Sequence, residues 1–324
     1  KIKKYLIMLL PLLFSIGCEE DNDSTAIDIT DAVDITDKEL TNRSEKCEDY
    51  VGTYTSSVQD VKNSTNFEGE LVISVSNGKC VFNSNSIPNH DFQDGSANFF
   101  TIPSEVNETL ETTTSPTNAS TTTALSLSLD NAVMLNGVKL DLLAAACYGV
   151  GPDPVGEEKI GCGDEYIGNA WRYDPMSSLN EFGTDTHNAH TQPDGAYHYH
   201  GNPNALFDMT DPTEESPVIG FAADGYPIYG SYISDNGTIR KVESSYTLKT
   251  GSRVTLGEAD GDFPGGDYDG QYREDYEYVQ GHGDLDECNG MTHNGAYGYY
   301  ITDSFPWVLT CFKGTTDTSF NKGP

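Results

Sequence analysis

Basic residues are scarce in this chain: 18 Lys and Arg stand against 51 Asp and Glu over 324 residues, a formal net charge of -33. A surface of that sign repels phosphate backbones and anionic headgroups, which excludes nucleic acid as a partner and makes cations the natural ones. Histidine is rarer still, at seven residues, and tryptophan occurs twice. Long helical periodicity is missing, because 32 Gly and 15 Pro interrupt the stretches that would carry it. No H-E-x-x-H, nucleophile elbow or P-loop occurs, so no motif names a reaction. The absence of a C-x-x-C pair argues against thiolate metal ligation and leaves any metal site to His and oxygen.

Apolar runs are short. The longest, Tyr5 to Ile16 in "KIKKYLIMLLPLLFSIGCEE", follows Lys1, Lys3 and Lys4 and falls well below the roughly 20 residues of a bilayer crossing. It reads as a secretory signal peptide over residues 1–17. The stretch "FSIGC" resembles a bacterial lipobox, which implies cleavage before Cys18 and acylation of that residue. The expected location is the bacterial cell envelope, on the outer membrane facing periplasm or medium, with membrane contact only through the lipid. Residues 18–46 are acidic, lack aromatics and carry an "IDITD/VDITD" echo; such a segment does not repay its ordering entropy and is expected to be a flexible tether.

Six cysteines remain: Cys47, Cys80, Cys147, Cys162, Cys288 and Cys311. An even set in an exported chain reads as three disulfides, and proximity in sequence favours 47 with 80, 147 with 162 and 288 with 311 among fifteen connectivities. From Cys47 onward, β-formers gather around Asn-Gly turns in "GELVISVSNGKCVFN" and "LSLSLDNAVMLNGVKL". The Ser/Thr-rich stretch at 111–124 reads as an exposed loop, and further strands are expected within 217–233, 241–248 and 296–303. The fold class predicted is mainly β: a single sandwich-like, disulfide-stapled domain over residues 47–315 with long loops, and a tail at 316–324.

Against this background the stretch "THNAHTQPDGAYHYHGNP" holds four of the seven histidines, His187, His190, His198 and His200. In a strand, residues i and i+2 share a face, so His198 and His200 project together while Tyr197 and Tyr199 point the other way. Paired imidazoles on one face chelate metals, although a tandem of this kind can also pack and hydrogen-bond as ordinary structure. The Pro-Asp-Gly turn at 193–195 offers a way to fold His187 and His190 back onto the pair. The Gly-Ala-Tyr-x-Tyr of residues 195–199 returns at 295–299, with Gly298 and Tyr300 in place of His198 and His200. This points to two similar hairpins, only the first able to carry histidine chemistry, with Tyr297, Tyr299 and Tyr300 read as structure.

The stretches "NAHTQPDGAYHYHGNP", "SPVIGFAADGYPIYG", "YDGQYREDYEYVQGHGDLDECNG" and "AYGYYITDSFPWVLTCFKG", in that order, together resemble the YHYH-motif family of exported bacterial proteins. The resemblance extends back through "LNGVKLD" and "FTIP" to "SNSIPNHDF", roughly residues 70–315, and supports one domain rather than two. The family is named for its motif, so the resemblance implies kinship and no activity. It adds His90, Asp224, Asp286 and Glu287 to the candidate positions.

Three function classes follow. A metal-binding envelope lipoprotein would hold Cu2+ or Zn2+ through His198, His200, His190 and His90, since imidazole suits both metals and no Met-rich stretch marks a Cu(I) carrier. A hydrolase or oxidoreductase would use the same cluster with an open metal position and Asp224, Asp286 or Glu287 as acid or base. A scaffold or adhesion module would use the Tyr and His for packing alone. Ca2+ is a weaker expectation: Asp260, Asp262, Asp267 and Asp269 crowd a Gly-rich stretch, and Asp284 lies beside Asp286 and Glu287, but neither stretch fits a calcium-loop pattern.

Overall fold

The computed structural model describes residues 32–95, 97–150, 162, 168–256 and 263–322. The signal peptide, Cys18, the tether up to residue 31, Asp260 and Asp262 lie outside the described residues.

Among the described residues strands make up 34% and helices 4%, as the turn-rich sequence predicts. Five strands, β1 (Val33–Asp34), β2 (Gly52–Asp60), β3 (Thr65–Ser76), β4 (Lys79–Ser84) and β5 (Glu108–Thr113), form one sheet in chain order. After a short β6 (Thr123–Ala124), the second sheet begins with the hairpin β7 (Ala132–Met134) and β8 (Lys139–Leu140). It continues with β9 (Ala189–Thr191), β10 (Tyr197–Tyr199), β11 (Val218–Ala222) and β12 (Pro227–Tyr229). Two small hairpins, β13 (Tyr232–Asp235) with β14 (Thr238–Lys241) and β15 (Tyr246–Leu248) with β16 (Tyr276–Tyr278), branch off. The chain then returns to the second sheet through β17 (Gly290–His293) and β18 (Ala296–Tyr300), and β19 (Cys311–Phe312) pairs with β6.

The two large sheets share one apolar core, giving the sandwich-like arrangement expected. Phe82 on β4 lies 6.1 Å from Phe221 on β11, and Tyr50 meets the same ring edge-on at 5.6 Å. A second cluster, around Trp171, Tyr173, Phe182 and Tyr272, lies apart from it.

Two boundaries differ from the sequence reading. Order begins before Cys47, because the apolar side chains of Ile35 and Leu40 have a core to join: β1 pairs with β2, Ile35 is buried and Leu40 packs on the core. At the other end the tail is part of the fold, with Phe320 fully buried and the backbone of Lys322 donating to Ser128 O.

All three disulfides join the neighbours in sequence: Cys47–Cys80, Cys147–Cys162 and Cys288–Cys311. Cys47–Cys80 closes a separation of 33 residues, for which loop-closure entropy gives about 4 kcal/mol. Replacing both by Ala is expected to lower the melting temperature by about 10 °C. A loss below about 2 °C in a thermal melt would contradict that constraint.

The second sheet runs β17-β18-β12-β11-β7-β8-β10-β9. Read outward from the antiparallel β7–β11 junction, the two sides are alike: an antiparallel hairpin, then a strand laid parallel on it (β10 on β8, β18 on β12), then that strand's antiparallel partner. The Gly-Ala-Tyr echo thus marks two structurally equivalent halves. Asn136-Gly137 and Asp224-Gly225 occupy equivalent turns, with Gly137 and Gly225 at φ 86° and 87°.

Candidate metal centre

The β9–β10 hairpin turns at Pro193-Asp194-Gly195. Asp194 Oδ1 accepts from the Ala196 amide at 3.0 Å, and Gly195 adopts φ 93°. A Cβ at Gly195 would lie 2.9 Å from Ile102 O, so this corner takes only glycine. The turn sets the register that places His198 directly across from His190 and Tyr199 across from Ala189. Strand alternation then divides the motif between two faces.

The tyrosine face enters the core. Tyr197 packs 5.3 Å from Phe92 and donates to Asp185 Oδ2 at 2.8 Å; Tyr199 OH lies 2.8 Å from His90 Nε2 and accepts from Asn136 Nδ2 at 2.9 Å. The histidine face gathers His190, His198 and His200, which are 1%, 1% and 3% exposed. His200 Nε2 is 3.0 Å from His198 Nε2 and 2.9 Å from His190 Nε2.

The tautomers decide what this triangle can do. Nδ1 of His190 lies 2.8 Å from Phe182 O, and a carbonyl only accepts, so His190 carries its proton there and turns an Nε2 lone pair inward. A proton on His200 Nε2 can satisfy that lone pair but cannot also satisfy His198 Nε2. With lone pairs on all three Nε2 atoms, repulsion is relieved only by a cation among them. Ligand atoms around a tetrahedral zinc with bonds near 2.0–2.1 Å stand roughly 3.3 Å apart, close to the spacing found. The three residues fit a metal ion. Burial drives the imidazoles toward the neutral, ligating form: it pushes His190 down to about 4 and His198 and His200 well below their ordinary value. Neighbouring histidines add to the lowering of His198 and His200, and the cations Lys139 and Lys322 contribute to that of His198.

His90, expected among the ligands, stands on the opposite face. Its Nδ1 donates to Asp91 O at 2.8 Å, its Nε2 faces Tyr199 OH, and its ring stacks on His187 at 3.7 Å. Both nitrogens are engaged, and burial lowers it to about 3. The hairpin folds His190 back onto the pair but sends His187 to the tyrosine side, where its Nδ1 meets Asn204 Oδ1 at 2.8 Å.

The acidic candidates are at the other edge of the sheet. Asp224 accepts from Tyr299 OH at 2.6 Å and from the Gly314 amide at 2.9 Å; Asp286 accepts from Tyr297 OH at 3.1 Å; Lys313 pairs with Asp286 at 3.1 Å and Glu287 at 2.7 Å. They tie down the second tyrosine pair as Asn136 and Asp185 tie down the first. The structure does not bring them to the histidines, because strand order places β17–β18 and β9–β10 at opposite edges. Asp267 and Asp269 are engaged by Ser252 and Arg253.

The family description "YHYH protein" matches residues 109–314. The chain belongs to the YHYH family. The motif that names it is Tyr197–His200, whose tyrosines anchor the strand while its histidines supply two corners of the triangle. His90 lies outside the matched region. No curated protein and no solved structure matches the chain.

Sequence reasoning missed the charged residues beside the centre. Lys139 on β8 and Asp141 just after it share the histidine face, since Lys139 is the register partner of His198 and the Asp141 amide donates to Tyr199 O. Lys139 Nζ holds Glu108 at 2.6 Å and Asp130 at 3.2 Å, and Lys322 pairs with Asp141. Burial disfavours the Lys139 charge, but Asp130 and Glu108 overcome it and raise the ammonium above its ordinary value. The i, i+2 spacing of "KLD" was the available signal.

Proposed function

We propose that this YHYH protein binds a divalent transition metal, zinc or copper(II), through His190, His198 and His200, as an exported lipoprotein held in the cell envelope by an acylated Cys18. The observation that carries the reading is the inward convergence of three Nε2 atoms, one fixed in its tautomer by a backbone carbonyl. Imidazole donors suit both metals. Three disulfides agree with an oxidising compartment outside the cytosol. Burial of all three ligands favours binding over turnover, since a reaction centre needs reach from solvent. The strongly acidic chain leaves nucleic acid without a footprint.

Elemental mass spectrometry on residues 32–324, purified without a His tag, tests this directly. The expected result is one zinc or copper per chain. Absence of metal after loading with either ion and desalting would sink the proposal.

A further inference from the structure

The first half of the second sheet carries, on the histidine face, an acidic side chain with an oxygen that has no partner among the described residues. Asp141 is 4% exposed, and its Oδ1 has no hydrogen-bond partner among the described residues. Its other oxygen takes Lys322 Nζ and lies 3.4 Å from Gln192 Nε2. Gln192 shares the face of His190, two residues before it, and sits beyond His198 at the turn end of the hairpin. Asp141 starts beside His200 and Gln192 across from Ala196, so the contact between their two side chains crosses the His198 position that lies between them. The Asp141 backbone also lies beside the His200 ring.

The equivalent half shows the same direction independently. Tyr229 is the counterpart of Asp141, as the register of β12 on β18 repeats that of β8 on β10. The Tyr229 ring lies over Gly298, the counterpart of His198: a Cβ there would stand 2.5 Å from it. The ring also stacks on Tyr300, the counterpart of His200, at 5.1 Å. In the second half, therefore, an aromatic ring fills the space that the first half leaves between a carboxylate and three imidazoles.

Resting on the metal-binding reading, we propose that Asp141 is the fourth donor of the centre, giving a closed three-nitrogen, one-oxygen set suited to zinc, and that the Lys322 ammonium stands in for the metal on Asp141 until it arrives. A second acceptor is ready for the displaced lysine. Asp130 Oδ1 is buried without a hydrogen-bond partner among the described residues and lies 3.6 Å from Lys322 Nζ. On metal binding Lys322 moves from one carboxylate to the other. Four protein ligands leave no open position, which makes the site one for holding metal rather than activating water.

The test compares wild type, Lys322→Met, Asp141→Asn and the double variant, each titrated with zinc against a chromophoric chelator and with Co2+ for its visible spectrum. Lys322→Met, which alters a partly exposed side chain, is expected to tighten zinc binding severalfold. Asp141→Asn in the Lys322→Met background leaves no unpaired ammonium behind and is expected to weaken zinc binding at least tenfold and change the cobalt spectrum. Affinities within twofold of the Lys322→Met protein and an unchanged spectrum would overturn the role of Asp141 while leaving the three histidines as ligands. If wild type binds neither ion, both readings fall. Should the double variant not fold, as judged by melting in chelator, unchanged or weaker zinc affinity in Lys322→Met alone would overturn the proposal.

Discussion

The double variant His198→Ala, His200→Ala is expected to retain neither zinc nor copper, and added zinc is expected to leave its melting temperature unmoved. Two of the three converging nitrogens are gone, and one imidazole cannot hold a borderline metal against solvent; a drop in affinity of at least 10³-fold is the order expected from losing two ligands of a structural-type site. For wild type, free zinc at about 1,000 times its Kd stabilises the fold by about 4 kcal/mol, or roughly 8 °C in a domain of this size. Met291→Ala provides the matched control, since Met291 faces Gly298 in the second half as His190 faces His198 in the first. It is expected to keep both the metal and the zinc-dependent rise. Retention of stoichiometric metal by the histidine variant would remove the centre from consideration.

Metal-free protein is expected to lose about 5 kcal/mol of stability between pH 7 and pH 5. His90 and His190 are pushed down to about 3 and 4, and His198 and His200 well below 6.5, chiefly by burial. The unfolded chain takes up protons on these residues near pH 6.5 while the folded chain does not. Their stabilisation is therefore fully present above pH 6.5 and is lost as pH falls toward the folded values, at about 1.4 kcal/mol per residue per pH unit. Glu274, raised to about 7 by burial, works the other way and offsets part of the loss. Thermal melts in chelator should show a fall of roughly 10 °C from pH 7 to pH 5, cut to about a third in the His198→Ala, His200→Ala protein. Equal or higher stability at pH 5 would show that these imidazoles are not held neutral.

Much of the centre was legible beforehand because β periodicity is strict. Spacing alone put His198 and His200 on one face and the tyrosines on the other, and the Pro-Asp-Gly turn pointed to His190. Two placements were not legible, for the same physical reason. His90 and Asp141 are brought to the hairpin by separate strands or loops, and which face each joins depends on pairing register over long separations, which local pattern does not encode. The acidic candidates Asp224, Asp286 and Glu287 are singled out by the family resemblance, yet their charges are spent on Tyr297, Tyr299 and Lys313. The tether was read too long because Ile35 and Leu40, isolated in an acidic stretch, give no sign of a pocket to receive them.

By itself the sequence determined the β class and the two-faced motif and favoured the disulfide pairs that form, since each follows from composition or from spacing along the chain. Only the tertiary structure decided the rest. Strand order sent the two Gly-Ala-Tyr hairpins to opposite edges of a doubled sheet. Parallel pairing of β8 with β10 laid Asp141 beside the histidines, and the C-terminal tail, folded back across that face, set Lys322 against it. Contacts between distant segments are fixed by the burial they jointly achieve, and no single stretch of chain carries that information.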